Sequence, residues 1–279
     1  MSTTRDEHLR VAFAPVPVTL EIAGLAKTFA TPAGPFVAVQ DVDVRVHEGE
    51  FACLLGHSGC GKSTVLSIVA GLQRATRGRV LIDGAEVHGP GADRAVVFQA
   101  PCLLPWLSAR QNVALAVRQA SPQLPRAERR ARVDHYLELV GVADVANQLP
   151  GELSLGTQQC VSLARALSAD PRFLLLDEPF SLLDSLTRFE LQDILLRVWE
   201  RNRKTVLMVT HDVDEALYLA GRLLLMTDGP SARVGDILPV PFPRPRERTA
   251  VLEHPQYYEL HSRVIDFLEK QTGQSAPAA

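Results

Sequence analysis

Nine consecutive residues, Gly56-His57-Ser58-Gly59-Cys60-Gly61-Lys62-Ser63-Thr64, fit the phosphate-binding pattern G-x-x-x-x-G-K-[ST]. Glycines at these positions let successive backbone N–H groups turn inward and cradle phosphate oxygens. Lys62 is spaced to reach the β- and γ-phosphates of a nucleotide, and Ser63 to ligate Mg²⁺. The helix expected to start here adds the positive end of its dipole. The loop sits between a buried apolar run, Phe51 to Leu55, and a helical pattern, which makes a chance match remote.

A phosphate loop alone does not separate kinases, GTPases and transport ATPases. A second element narrows the choice. Phe173 to Leu176 is an apolar strand that ends in two carboxylates, Asp177 and Glu178. Asp177 is placed to hold Mg²⁺ through water, and Glu178 to polarise an attacking water.

The elements that must position these groups follow from periodicity. Val42 to Val46 alternates as a strand does, Gly49-Glu50 turns the chain, and Lys62 to Ala70 reads as a helix stopped by Gly71. Val80 to Ile82 and Ala95 to Phe98 are further expected strands. Between about 101 and 166 the pattern becomes helical, with Val133, Tyr136, Leu137 and Val140 at helical spacing before Gly141. Strand and helix then alternate: Phe173 to Leu176, Leu186 to Glu200, Thr205 to Val209, Val213 to Leu219, Leu223 to Met226. That alternation implies an α/β fold with a mainly parallel sheet covered on both faces. A proline-rich connector, Pro239 to Pro245, leads to an amphipathic helix near Tyr257 to Leu268.

Composition bounds the function. The 279 residues carry 46% hydrophobic and 22% charged residues and a formal charge of -3, which gives no electrostatic case for nucleic acid or anionic lipid. The basic run Arg126 to Arg132 includes Glu128 and reads as a solvated helix face. Residues 1–17 are polar and proline-containing and are expected to be disordered; with Arg5, Asp6 and Glu7 they lack the apolar core of a secretory signal. The longest uncharged stretch, Ala95 to Ala109, is too short and too broken by proline to span a bilayer, so a membrane role is expected to run through a partner. Cys53, Cys60, Cys102 and Cys160 lack zinc-site spacing and fit a reduced protein. Cys60, beside Lys62 at a helix N-terminus, reads equally as an activated thiolate or as a small loop-filling residue.

The order of these motifs resembles the nucleotide-binding domain of ABC transporters. Leu153-Ser154-Leu155-Gly156-Thr157 lies where that family has its Leu-Ser-Gly-Gly signature, and Val161 to Leu167 continues as its signature helix. Gln99 matches the Q-loop, Ser181 to Asp184 the D-loop, His211 the switch histidine, and Phe29 the adenine-stacking aromatic. The resemblance covers about residues 18–228, leaving 229–279 as a C-terminal extension. It implies a P-loop NTPase core, an antiparallel β subdomain and an inserted α-helical subdomain. It also implies that two such domains meet head to tail around ATP and Mg²⁺, the phosphate loop of one facing Ser154 and Gly156 of the other, with Asp184 also counted among the nucleotide-binding residues. The metal would be held by Ser63, Gln99 and Asp177. Glu178, His211, Gln99 and Lys62 would carry hydrolysis, and Gln99 to Trp106 would bear on a membrane subunit. Two residues depart from the family pattern: Leu155 replaces the first signature glycine, and Cys160 stands where arginine is frequent. Leu155 either strains the loop or, with φ below zero, packs its side chain beside the signature helix; the intact Ser154 and Gly156 favour the second.

Finer resemblance is to importers of nitrate, cyanate and bicarbonate, with the sulfonate and taurine group as the alternative. It rests on Gly56 to Thr64, Leu103 to Trp106, Asp177 to Arg188, and a tail running from Asp228-Gly229-Pro230 through Pro241 to Arg246 and His254 to Tyr258. The chain is then expected to be peripheral at the cytoplasmic face of a bacterial inner membrane. Its expected partners are a permease, a second ATPase subunit (identical or related) and, indirectly, a periplasmic or lipid-anchored solute-binding protein. A soluble ABC ATPase acting on DNA or ribosomes fits poorly, because those usually carry coiled-coil insertions or two cassettes. Ser154 to Leu167 and His211 argue against a P-loop kinase or GTPase.

Overall fold

A computed structural model describes residues 17–274. All but Pro17 of the segment expected to be disordered therefore lies outside the described residues. In chain order the elements are β1 (Val18–Thr31), β2 (Gly34–His47), β3 (Phe51–Leu55), α1 (Lys62–Val69), β4 (Arg77–Ile82), β5 (Ala85–Glu86), β6 (Arg94–Val97), α2 (Ala109–Ala120) and α3 (Arg126–Leu139). There follow α4 (Leu155–Ser168), β7 (Phe173–Asp177), α5 (Ser185–Asn202), β8 (Thr205–Thr210), α6 (Val213–Leu219), β9 (Arg222–Met226), β10 (Val234–Pro239), α7 (Arg248–Leu252) and α8 (Tyr257–Gln274).

The strands form two sheets. One is antiparallel with order β2-β1-β4-β5; the other has order β10-β9-β3-β8-β7-β6. In the second, β9, β3, β8, β7 and β6 run parallel, and β10 is antiparallel to β9. The central strands β3, β7 and β8 carry continuous apolar runs, Phe51 to Leu55, Phe173 to Leu176 and Val206 to Val209, because both of their faces are covered. Their alternation sorts the core into two halves. Phe51, Cys53, Leu55, Leu174 and Leu176 join the buried cluster under the helices, while Ala52, Leu54, Phe173 and Leu175 join the one under α1 and the antiparallel sheet.

The helical insertion consists of α2, α3 and α4. Ser108 starts α2 with a capping box: its hydroxyl accepts from Gln111 N–H, and the Gln111 side chain accepts from Ser108 N–H. Buried Asn112 then fixes the loop before it, accepting from Leu104 N–H and donating to the carbonyls of Leu104, Leu107 and Ser108. That loop presents Trp106, 70% exposed. The basic run on α3 is only partly a solvated face: Arg132 donates to Ser121 Oγ at 3.1 Å and pairs with Asp170, and Arg130 pairs with Asp134.

The tail differs most from expectation. Val234–Pro239 is a strand, added in antiparallel register to the edge of the main sheet. Leu238, Val240, Phe242, Tyr257 and Val264 are buried in the same cluster as the central strands, so residues 229–274 pack as part of one body with the rest.

Candidate functional site

The phosphate loop follows directly from β3, whose last residue is Leu55. Gly61 caps α1 with φ 98°, and a Cβ there would lie 2.5 Å from Val39 Cγ1. Glycine is required by both conformation and space. The first N–H groups of α1 have no intrahelical partner, so they and the helix dipole make an anion cradle. Lys62 is buried beneath it and donates to the carbonyls of Gly56 and His57, each at 2.8 Å. His57 Nδ1 lies 2.8 Å from Asp228 Oδ1, which ties the loop to the end of β9.

The two carboxylates at the end of β7 stand against this loop. Ser63 Oγ donates to Asp177 Oδ1 at 2.7 Å. Glu178 Oε1 lies 3.9 Å from Lys62 Nζ, and Glu178 Oε2 lies 3.1 Å from His211 Nδ1. Burial raises the Asp177 pKa; the Ser63 hydrogen bond opposes the shift and the Glu178 charge adds to it. Gln99 Nε2 donates to Ser181 Oγ at 3.0 Å, and Ser181 Oγ donates to the Glu178 carbonyl at 3.0 Å. Gln99, Lys62, Glu178 and His211 thus form one network, with Ser181 as the link that spacing does not reveal and the Ser63–Asp177 pair beside it.

Phe29, Ser154, Gly156 and Asp184 stand outside this network. Ser154 caps α4, its Oγ accepting from Thr157 N–H at 3.2 Å, and Asp184 caps α5, accepting from Thr187 N–H at 3.1 Å. The two caps are neighbours, because a Cβ on Gly156 would lie 2.3 Å from Thr187 Cγ2. Ser154, Asp184 and Ser63 are all exposed, as a surface that meets a second molecule would be. Phe29 is half-buried on β1 with Lys27 Nζ 5.0 Å from its ring centre. Its register partner on β2 is Phe36, 45% exposed, an aromatic that the sequence reading passed over.

Two readings are decided by the geometry. Cys60 is 2% exposed, and burial raises its thiol pKa, with Lys62 opposing only in part. It is the loop-filling residue and not an activated thiolate. Leu155 is the first residue of α4, in helical conformation, so the signature loop is not strained by it. Its side chain stands at the start of that helix and is 39% exposed. Sequence spacing also missed Gln159, whose buried amide donates to the carbonyls of Phe98 and Pro179 and so fastens α4 to both the Q-loop and the β7 turn.

Residues 39–181 match the family model described as ABC transporter. The chain belongs to the ABC transporter family. It is an ATPase whose hydrolysis is coupled to transport. Among relatives of this ABC ATPase, the nitrate import ATP-binding protein NrtD of Synechococcus elongatus is 53% identical, over 88% of this chain and 90% of its own. The bicarbonate transport ATP-binding protein CmpD of the same organism is 48% identical, over 89% and 90%. A solved dimeric structure of the ATP-binding cassette MJ0796, in a post-hydrolysis state bound to ADP and Pi, matches with a TM-score of 0.72 and 32% identity, covering 80% of this chain and 99% of that one.

The residues fit Mg²⁺ as such ATPases use it. Among the described residues no cluster of three or more His, Cys, Asp or Glu could cage a metal ion alone. Magnesium needs only one or two protein oxygens when substrate phosphates supply others, and the Ser63 hydroxyl and Asp177 carboxylate offer that pair.

Proposed function

We propose that the chain is the ATP-hydrolysing subunit of an importer for a small anion, nitrate or a related one such as bicarbonate. One observation carries the hydrolytic part. Glu178 is held between Lys62 and His211, beside the Ser63–Asp177 pair. The choice of anion is supported by likeness to nitrate and bicarbonate import subunits over nearly nine-tenths of the chain.

The roles follow from the contacts. Lys62, now bonded to two carbonyls of its own loop, is within reach to exchange them for β- and γ-phosphate oxygens. Ser63 and Asp177 would hold Mg²⁺, which would supply positive charge to the phosphates. Glu178 accepts a proton from the attacking water as its oxygen bonds to the γ-phosphorus and the bond to the bridging oxygen breaks, leaving ADP and phosphate. His211 orients Glu178, and Gln99 reports the site's state through Ser181 to the loop that carries Trp106. No described helix is long and apolar enough to cross a membrane. From the likeness to import subunits and to a dimeric cassette we infer that a separate permease, a second ATPase subunit and a solute-binding protein complete the importer, with this chain peripheral at the inner face of the membrane.

Uptake in a strain lacking the gene tests the reading. Complementation should restore import of nitrate or bicarbonate, and Glu178→Gln should not. Restoration of sulfonate or taurine import instead would refute the anion assignment. A hydrophobic permease should copurify with the chain.

A further inference from the structure

Helix α6 begins two residues after His211, and residues 244–261 grip it at both ends. At its C-terminal end, Arg246 Nη1 donates to the carbonyls of Leu217, Tyr218 and Ala220 at 3.2, 2.8 and 2.7 Å. Arg244 Nη2 takes the carbonyl between them, that of Leu219, at 2.7 Å. These are the acceptors a helix terminus leaves unpaired, at the negative end of its dipole, and two guanidinium groups satisfy them. Arg246 is buried, which lowers its pKa to about 9 and still leaves it charged at neutral pH.

At the other end, Tyr257 Oη donates to Asp214 Oδ1 at 2.5 Å, and His261 Nε2 lies 3.4 Å from the same oxygen. Asp214 is in the first turn of α6, three residues from His211. Arg188 fixes the cap residue between them, donating to Asp212 Oδ2 at 3.1 Å. A short helix held at both ends cannot shift or tilt without breaking these bonds, and the imidazole at its entrance moves with it.

We propose that the C-terminal segment is a seat for α6 that places His211 against Glu178, with Tyr257 as a positioning residue for ATP hydrolysis. This rests on the reading of Glu178 and His211 as the hydrolytic pair. A tail that only covers the apolar back of the sheet would add stability and leave His211 untouched.

Tyr257→Phe in the full chain is the test, because the ring and its packing against Tyr258 remain and only the bond to Asp214 is lost. The ring resonance of His211, followed by NMR in histidine-labelled protein, is expected to move. The kcat for ATP is expected to fall three- to tenfold with KM within twofold. Asp214→Ala should reproduce both changes from the other side of the bond, and Asp214→Asn, which keeps an acceptor, should restore them towards the native values. Arg263→Ala, elsewhere on α8, breaks an exposed ion pair with Asp236 of β10 and should change neither. A His211 resonance that stays in place in Tyr257→Phe and Asp214→Ala overturns the proposal. A resonance that moves without loss of kcat leaves the seat standing and overturns the assignment of His211 to hydrolysis.

Discussion

His211 Nδ1 lies 3.1 Å from Glu178 Oε2, and Glu178 holds this position with φ at 46°. A positive φ is costly for a residue with a Cβ, and such outliers persist where the surroundings over-determine them. Here Glu178 N–H donates to Val209 O, Ser181 Oγ bonds the Glu178 carbonyl, and Lys62 and His211 flank its carboxylate.

Glu178→Gln keeps the shape of this arrangement and removes the carboxylate proposed as the base. Hydrolysis is expected to slow at least about a hundredfold, the usual scale for losing a positioned base, while ATP binding persists. Steady-state turnover and equilibrium nucleotide binding on the purified variant check this. Turnover near the native rate would remove Glu178 from the role.

A second carboxylate behind the site gives a pH dependence. Glu215 on α6 is buried, and its pKa is pushed up to about 8, chiefly by desolvation and then by the charge of Asp212. A raised carboxyl pKa means that the folded state holds the proton more tightly than the unfolded chain. Its contribution is therefore full below about 4.5 and is lost as pH rises through about 8. Native protein should lose stability across that window with a slope from this group approaching about 1.4 kcal/mol per pH unit. Glu215→Gln, which cannot ionise, should lack that slope. Parallel denaturant titrations from pH 5 to pH 9 would reveal it, and superimposable curves would show that Glu215 titrates normally.

The cysteines separate by exposure. Cys102 is exposed, whereas Cys60 is buried and its thiol is held protonated. A maleimide at neutral pH is expected to label Cys102 first and to leave Cys60 unmodified with or without ATP. Peptide mass mapping reads this directly. Rapid labelling of Cys60 that nucleotide prevents would restore the activated-thiolate reading.

Leu155→Gly tests the departure from the family's signature. Because Leu155 already has helical backbone geometry and a side chain 39% exposed, glycine removes little packing. ATPase activity should stay within a few-fold, and stability should fall by at most about 1 kcal/mol, the helix-propensity difference. A tenfold gain in activity would show that leucine impairs the signature loop.

The features that could be read from sequence are those whose partners are close in the chain. Gly56 to Thr64 and Phe173 to Glu178 each make a continuous strand-to-loop unit, so local patterning alone located them. The Ser108–Gln111 capping box was equally local, and its S-x-x-Q spacing would have placed the start of α2. What escaped depends on packing between distant segments. Gln159 reaches Phe98 and Pro179, His57 reaches Asp228, and Arg246 reaches the end of α6; no periodicity encodes those meetings. Strand β10 escaped because Gly235 and Asp236 interrupt its apolar pattern, while pairing with β9 fixes it in the sheet. The Cys60 reading turned on whether burial or positive potential wins. Loop closure decided for burial.

A head-to-tail pair would split the site between two chains: Lys62 and Glu178 lie in one network, while Ser154 is exposed and stands outside it. Sedimentation of Glu178→Gln with and without saturating ATP and Mg²⁺ measures this directly. The expected result is a monomer or weak dimer without nucleotide and a stable dimer with it. A strict monomer that nonetheless binds ATP would contradict a site completed by a second copy of this chain.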